Sequence, residues 1–367
     1  MKITGAALHA YRLPLRAAWA SAAGGFAVRE GWLLRLTSAD GHCGYGDCAP
    51  LPMSGTETAE RAEAVLQTYA YKLIGRPTAG ALATLEEVAR YRTPAARCAV
   101  ETALLDLLAQ DAGRLLADYL RGSAGARTVA VNAALGSLRS CSTQALAAAR
   151  AAGFDVVKLK VGSAPLAEEI SHLRAIAGQL PAGMRLRLDA NRAWHEAQAQ
   201  AFLAACSDLP IEMLEEPLAD PRPDALCRLQ ARCAFPLALD ESLATFDPAV
   251  IFAAPPVRCL VLKPQRSGGL LPALALARRA AVAGLACVAT SSVDSACGVL
   301  AAAHLAAALG NDLTHGLATS TWLSADTGLP PRIAGGRLQL PNATGLGFVP
   351  GRELVFCDCA AGPPRPL

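Results

Sequence analysis

The sequence predicts an α/β fold: a (β/α)8-type barrel, a modified TIM barrel, preceded by an N-terminal α+β capping domain that the C-terminal tail completes. Three observations predict it. From about Thr128 onward, short β-rich runs alternate with Ala/Leu-rich helical stretches, the pattern of parallel βα units. Eight such runs can be read, spaced by the roughly 25–30 residues that a strand, a helix and two short loops require. The chain before Gly125 lacks this alternation and reads as strands followed by helices. An open doubly wound sheet is the rival, but the GxGxxG phosphate fingerprint of many such folds is absent.

Residues 1–125 are assigned to the capping domain. ITGAALHAYRLPL and WLLRLTSADGHCGYGDCAP read as strands, with Asp40-Gly41 a hairpin turn. TAERAEAVLQTYAYKLI and PAARCAVETALLDLLAQDAG read as helices. Residues 126–330 are assigned to the barrel, through the runs TVAVNAALG, FDVVKLKVG, MRLRLDANRAW, IEMLEEPL, FPLALDES, CLVLKPQRSGG, LACVATSSVDS and THGLATSTW. PLAEEISHLRAIAGQL, EAQAQAFLAACS and GGLLPALALARRAAVAG are helical candidates between them. Residues 331–367 hold GGRLQLPNATGLGFV, too short to form a core alone and expected to return to the first domain.

Composition narrows the partners. The formal charge of +3 on 367 residues, without a Lys/Arg run, gives no electrostatic footprint for nucleic acid. The longest apolar stretch carries Arg278 and Arg279 at its centre, which makes it a poor membrane span. The 12 cysteines are scattered with no CxxC, and Arg12, Pro14 and Arg16 interrupt the apolar N-terminus, so reduced thiols and a cytoplasmic setting are expected.

Chemistry in such a barrel sits at the C-terminal ends of the strands. There the runs end in Lys158 and Lys160; Asp189, Asn191 and Arg192; Glu215 and Glu216; Asp240 and Glu241; and Lys263. Each motif alone has a plain reading, as a solvated lysine face or a helix cap. In order at consecutive strand ends they describe one site. Converging carboxylates require a cation, and oxygen ligands suit Mg²⁺, with Mn²⁺ as the alternative. Asp189, Glu215 and Asp240 are the first acids at their strand ends and so the candidate ligands. Glu216 and Glu241 follow them directly and face away unless the strand has turned; with Asn191 they are candidates for a supporting layer. A cation and a second ammonium depress a lysine toward neutrality, which makes it a general base for the proton beside a carboxylate. Ser291, Ser292 and Asp294, at the seventh strand end, are candidate substrate contacts, Asp294 being alternatively a cap for the helix after it. The segments Ser21 to Trp32 and Leu51 to Thr58 are candidate lids. His304 and His315 receive no chemical role.

KLKVG, LDANRAW, EEPL, LDES and LKPQRSGG, in this order and spacing, resemble the enolase superfamily and within it the muconate-lactonising subgroup. The resemblance runs through nearly the whole chain. It implies that Lys160 and Lys263 face each other across the substrate, that Lys158 assists Lys160, and that Asp189, Glu215 and Asp240 hold the metal. GYGDCAPLPMSGTET, with Asp47 where a Glu is usual, and SSVDSACG followed by HGLATSTWLSAD resemble the o-succinylbenzoate synthases of menaquinone biosynthesis. That likeness implies a lyase dehydrating a succinyl-substituted hydroxycyclohexadiene carboxylate. An N-acylamino acid racemase, a dipeptide epimerase or a muconate cycloisomerase is the alternative, and a non-catalytic barrel a more distant one. The expected partner is a small carboxylate, and a homo-oligomer is compatible because such barrels often assemble.

Overall fold

The protein, seen in a computed structural model, is described for residues 1–21, 24–83, 85 and 92–359. Ala22 and Ala23, at the tip of the first lid candidate, and the last eight residues of the tail lie outside the described residues.

The N-terminal unit is an antiparallel sheet of β1 (Ile3–Ser21), β2 (Gly24–Ser38) and β3 (Cys43–Cys48). The turn at Asp40-Gly41 is present, with Gly41 in the left-handed region at φ +81°. The first lid candidate is therefore mostly β-ribbon rather than loop. Helices Ala59–Leu73 and Pro94–Asp111 bury their apolar faces against this sheet. Gly44 and Gly46 permit the contact: a Cβ on them would lie 2.2 Å from Ala103 O and 1.8 Å from Ala99 O. The buried Glu57 carboxylate accepts from the amides of Ala95 and Ala96 at 3.2 and 2.7 Å, fastening the end of the Leu51 to Thr58 segment to the second helix.

The larger unit begins with β4 (Thr128–Ala130) and continues with β5 (Ala133–Ser137), β6 (Val156–Lys160), β7 (Arg185–Asp189), β8 (Ile211–Glu215), β9 (Leu237–Leu239), β10 (Cys259–Leu262) and β11 (Ala286–Ala289). β5 to β11 form one seven-stranded parallel sheet in sequence order. Helices Leu166–Ala177, Glu196–Ala205 and Leu270–Val282 occupy the expected stretches, with buried Leu173, Phe202 and Leu274 turned inward. Each such side chain stabilises the fold by roughly 1.5–3 kcal/mol through loss of apolar surface to water.

The eighth run differs from its expectation. THGLATSTW provides only the pair His315–Gly316 rather than a strand. His315 N donates to Ala130 O and Asn132 N to His315 O, while Gly316 N donates to Ala289 O and Ser291 N to Gly316 O. Two residues thus link both edges of the sheet. The tail runs past both units, and its Leu346 N donates to Asp106 Oδ1 at 2.8 Å and its Cys359 N to Ala6 O at 2.9 Å. β13 (Arg337–Gln339) pairs with β4 and carries β12 (Ile333–Ala334) on its other side, and β14 (Cys357–Asp358) joins β1. Among the described residues, no helix is long and apolar enough to cross a membrane.

Candidate active site

The parallel register brings the polar strand ends to one level. Lys160 pairs with Asp189 across β6 and β7, and Asp189 with Glu215 across β7 and β8. Strand alternation points Lys158, Lys160, Arg187 and Asp189 to the inner side. Below them Met213, Ala238, Cys259, Val261 and Val288 pack as an apolar plug. Above it opens a cavity of about 600 Å³. Lys158, Lys160, Asp189, Asn191, Arg192, Glu215, Asp240, Glu241, Lys263, Ser291 and Ser292 all line it. Lys160 and Lys263 stand at β6 and just after β10, four strands apart, and therefore on opposite walls.

The two lysines of KLK have different surroundings. Lys158 Nζ lies 2.9 Å from Asp189 Oδ2 and also binds Glu215 Oε2. Burial opposes its charge, but Asp189 and Glu215 outweigh burial and hold its pKa well above the usual lysine value. For Lys160 burial prevails over Asp189, and Lys158 and Lys263 add to it, bringing the amine down to about 8. On the far wall Lys263 Nζ is 2.6 Å from Asp240 Oδ2, and Arg266 holds Asp240 Oδ1. Burial alone would raise Asp240; Arg266, Lys263 and Lys158 instead keep it far below the usual carboxylate range.

The next layer differs in part from the sequence reading. Glu216, at φ +47°, accepts from Asp240 N at 2.6 Å and from the Ser242 amide and hydroxyl, fixing the end of β9. Burial raises it to about 7 against those hydrogen bonds. Glu241 does not face away, because the chain turns at Asp240 into the short helix Glu241–Thr245. It lines the cavity and accepts from Asn191 Nδ2 at 3.3 Å, and burial followed by Asp240 and Asp189 raises it to about 8. Asp294 is neither a cavity residue nor the helix cap. Val293, at φ +60°, folds it back so that it accepts from Ser292 N at 3.2 Å. The helix Ala296–Leu309 is capped instead by Asp47, which accepts from Ser295 N at 3.0 Å, and by Asp326, which accepts from Ala296 N at 2.7 Å.

The fit to a divalent ion divides into composition and placement. Asp189, Glu215 and Asp240 are buried oxygen donors at the ends of neighbouring strands, and Glu215 Oε1 has no hydrogen-bond partner. That donor chemistry fits Mg²⁺. As placed, however, no three His, Cys, Asp or Glu side chains among the described residues form a ready shell. Lys158 stands between Asp189 and Glu215, and Asp240 turns to Lys263 and Arg266.

Several lining residues escaped the sequence reading. Arg187 is fully buried, forks onto Glu212 at 2.9 Å twice and donates to Asn132 Oδ1 and Thr314 O. It lies two residues before Asp189, so strand alternation alone could have flagged it. Arg266 stands three residues after Lys263, in a motif read only for its lysine. Phe26, Leu51 and Met53, from the two segments read as candidate lids, line the cavity with Trp322 as an apolar roof. His304 and His315 are buried structural groups. The first accepts from Ala117 N through Nδ1 and donates to Leu346 O through Nε2; the second accepts from Ala289 N.

Residues 141–354 match the family profile described as enolase C-terminal domain-like, and residues 3–90 match that of the MenC N-terminal domain. The chain is 31% identical over 334 residues to muconate cycloisomerase 1-2 of Acinetobacter lwoffii, covering 86% of this chain and 84% of that one. It is 27% identical to L-Ala-D/L-Glu epimerase of Bacillus subtilis strain 168, covering 87% and 89%. The crystal structure of a dipeptide epimerase from Enterococcus faecalis V583, complexed with Mg and the dipeptide L-Leu-L-Tyr, superposes with a TM-score of 0.85 at 25% identity, covering 95% of this chain and 99% of that one.

Proposed function

The chain belongs to the enolase C-terminal domain-like family and is an enolase-superfamily enzyme, and from that premise we propose that it removes the proton alpha to a carboxylate of a small molecule. One observation carries the reading: Lys160 and Lys263 line opposite walls of a single cavity, with Asp189, Glu215 and Asp240 between them. In this reading the N-terminal sheet and its helices act as a cap over a (β/α)8-type barrel. Lys160, with its amine near neutrality, is the base. Lys158, pinned by two carboxylates, stays charged and holds Lys160 down. Asp189, Glu215 and Asp240 would hold Mg²⁺ or Mn²⁺, with Asn191, Glu216 and Glu241 orienting them. The bound ion would supply Lewis-acid stabilisation of the charge developing on the substrate carboxylate.

For the substrate we favour o-succinylbenzoate synthesis, a lyase reaction. The MenC N-terminal profile supports it, and so does the distribution of charge. Among the described lining residues the acids Asp189, Glu215, Asp240 and Glu241 all lie at or just after the ends of β7 to β9, while the opposite side offers Ser291, Ser292, Thr319 and Trp322. No carboxylate there would receive the ammonium of a dipeptide. Lys160 takes the ring proton, the carbon–oxygen bond breaks with the electron pair of the broken carbon–hydrogen bond completing the aromatic ring, and the ammonium of Lys160 returns the proton to the departing hydroxide, which leaves as water. Lys263, as a cation, faces the delocalised charge. The curated relatives support a second reading, an isomerase acting as cycloisomerase or epimerase, in which Lys263 delivers or removes a proton from the other face. Turnover of the cyclohexadiene substrate, followed by the ultraviolet change on aromatisation, tests the first reading. Deuterium entry at an alpha carbon with inversion, and no aromatisation, would replace it with the second.

A further inference from the structure

We propose that Arg29 is a positioning residue that sets the shape of the substrate cavity, because its one guanidinium ties together three segments of the cavity wall. Arg29 lies on β2, is 3% exposed, and does not itself line the cavity. Its Nη2 donates to Ala49 O at 2.8 Å and its Nη1 to Pro50 O at 3.0 Å. These carbonyls lead directly into Leu51–Gly55, which lines the cavity. Its Nε donates to Val293 O at 3.2 Å, and its guanidinium carbon lies 5.5 Å from the Phe26 ring centroid. Val293 and Phe26 line the cavity from two further directions.

The Val293 contact is the most informative. Val293 has φ +60°, a conformation that a β-branched residue adopts only when its surroundings impose it. It packs against Tyr11, Leu13 and Leu323, and Arg29 grips its carbonyl. The strained residue follows Ser291 and Ser292, so whatever holds its backbone also aims those two hydroxyls. Three acceptors in different directions require a rigid planar fork; the single ammonium of lysine cannot serve them together. The wall is thereby preset to one width, which fixes the bulk of the tail that a carboxylate substrate may carry. This part of the inference rests on the proposed alpha-proton chemistry, whereas the coupling between wall segments does not.

The test uses Arg29→Lys, Val293→Gly and the double variant in the full chain. Amide hydrogen exchange is measured first, with no substrate present. Arg29→Lys should accelerate exchange in Leu51–Gly55 and in Ser291–Val293 together. Acceleration of one segment alone, or of neither, overturns the proposal. Kinetics are then measured on whichever carboxylate the wild type turns over. Arg29→Lys should raise KM by about tenfold with kcat within about twofold, the mark of lost positioning rather than lost chemistry. Val293→Gly, which accepts φ +60° without strain, should recover most of that KM in the double variant. An unchanged KM, or no rescue, overturns the proposal. If the wild type turns over no carboxylate, the proposed reaction fails while the exchange result still decides the role of Arg29.

Discussion

Lys263 Nζ donates to Asp240 Oδ2 at 2.6 Å, so the amine on one wall is anchored by a carboxylate that also receives Arg266. Its replacement separates the two readings of the reaction. In a lyase that uses Lys263 as a cation, Lys263→Arg should keep a measurable rate and Lys263→Met should lose about 100-fold or more. In an isomerase using both faces, each replacement should abolish inversion. Steady-state rates with both variants on both substrate types decide between them.

Lys160→Met should reduce turnover by at least about 100- to 10,000-fold, the usual contribution of a positioned base. Circular dichroism and melting temperature should stay near the wild type, because the lysine lines a cavity and is not part of the core.

The pH profile follows from the same amine. Its working form is neutral and its pKa is lowered to about 8, so kcat/KM should rise with pH and level off above that value. At pH 7 only about one amine in ten is unprotonated, by the ordinary titration relation. A rate that falls between pH 7 and 9 would contradict the assignment.

Chelation should abolish turnover, and Mg²⁺ or Mn²⁺ should restore it. Glu215→Gln leaves the buried Glu215 Oε1 region without its charge and should raise the metal concentration for half-activity by about tenfold or more. Isothermal titration with Mn²⁺ checks this independently of activity.

Arg187→Met tests the layer beneath the site. It leaves Glu212 without the guanidinium that pairs with it at 2.9 Å, and breaking such a buried pair costs roughly 3–5 kcal/mol. A denaturant titration showing less than about 1 kcal/mol of change would contradict that account.

That the strand-end acids and lysines meet at one cavity was legible because parallel strands in sequence order place their ends at one level, so a residue's place at the cavity follows from its place in its own run. Asp294 was misread because a single backbone turn, at Val293, re-aims the side chain that follows, whereas the turn at Asp240 that brings Glu241 to the cavity was the alternative left open. Arg29 and Asp47 were illegible in principle. Their partners, Val293 and Ser295, lie 264 and 248 residues away, and no local pattern records that distance. The eighth strand was overpredicted because THGLATSTW has strand composition, whereas closing the sheet needs only two of its residues.

The attachment of Cys357–Asp358 to β1 has a consequence for biosynthesis. A ribosome delivers β1 long before the strand that covers its outer edge at Ala7 and Leu8. Throughout that interval the nascent protein displays an unpaired β-edge of the kind that recruits other chains, which makes slow translation or late truncation a hazard for aggregation.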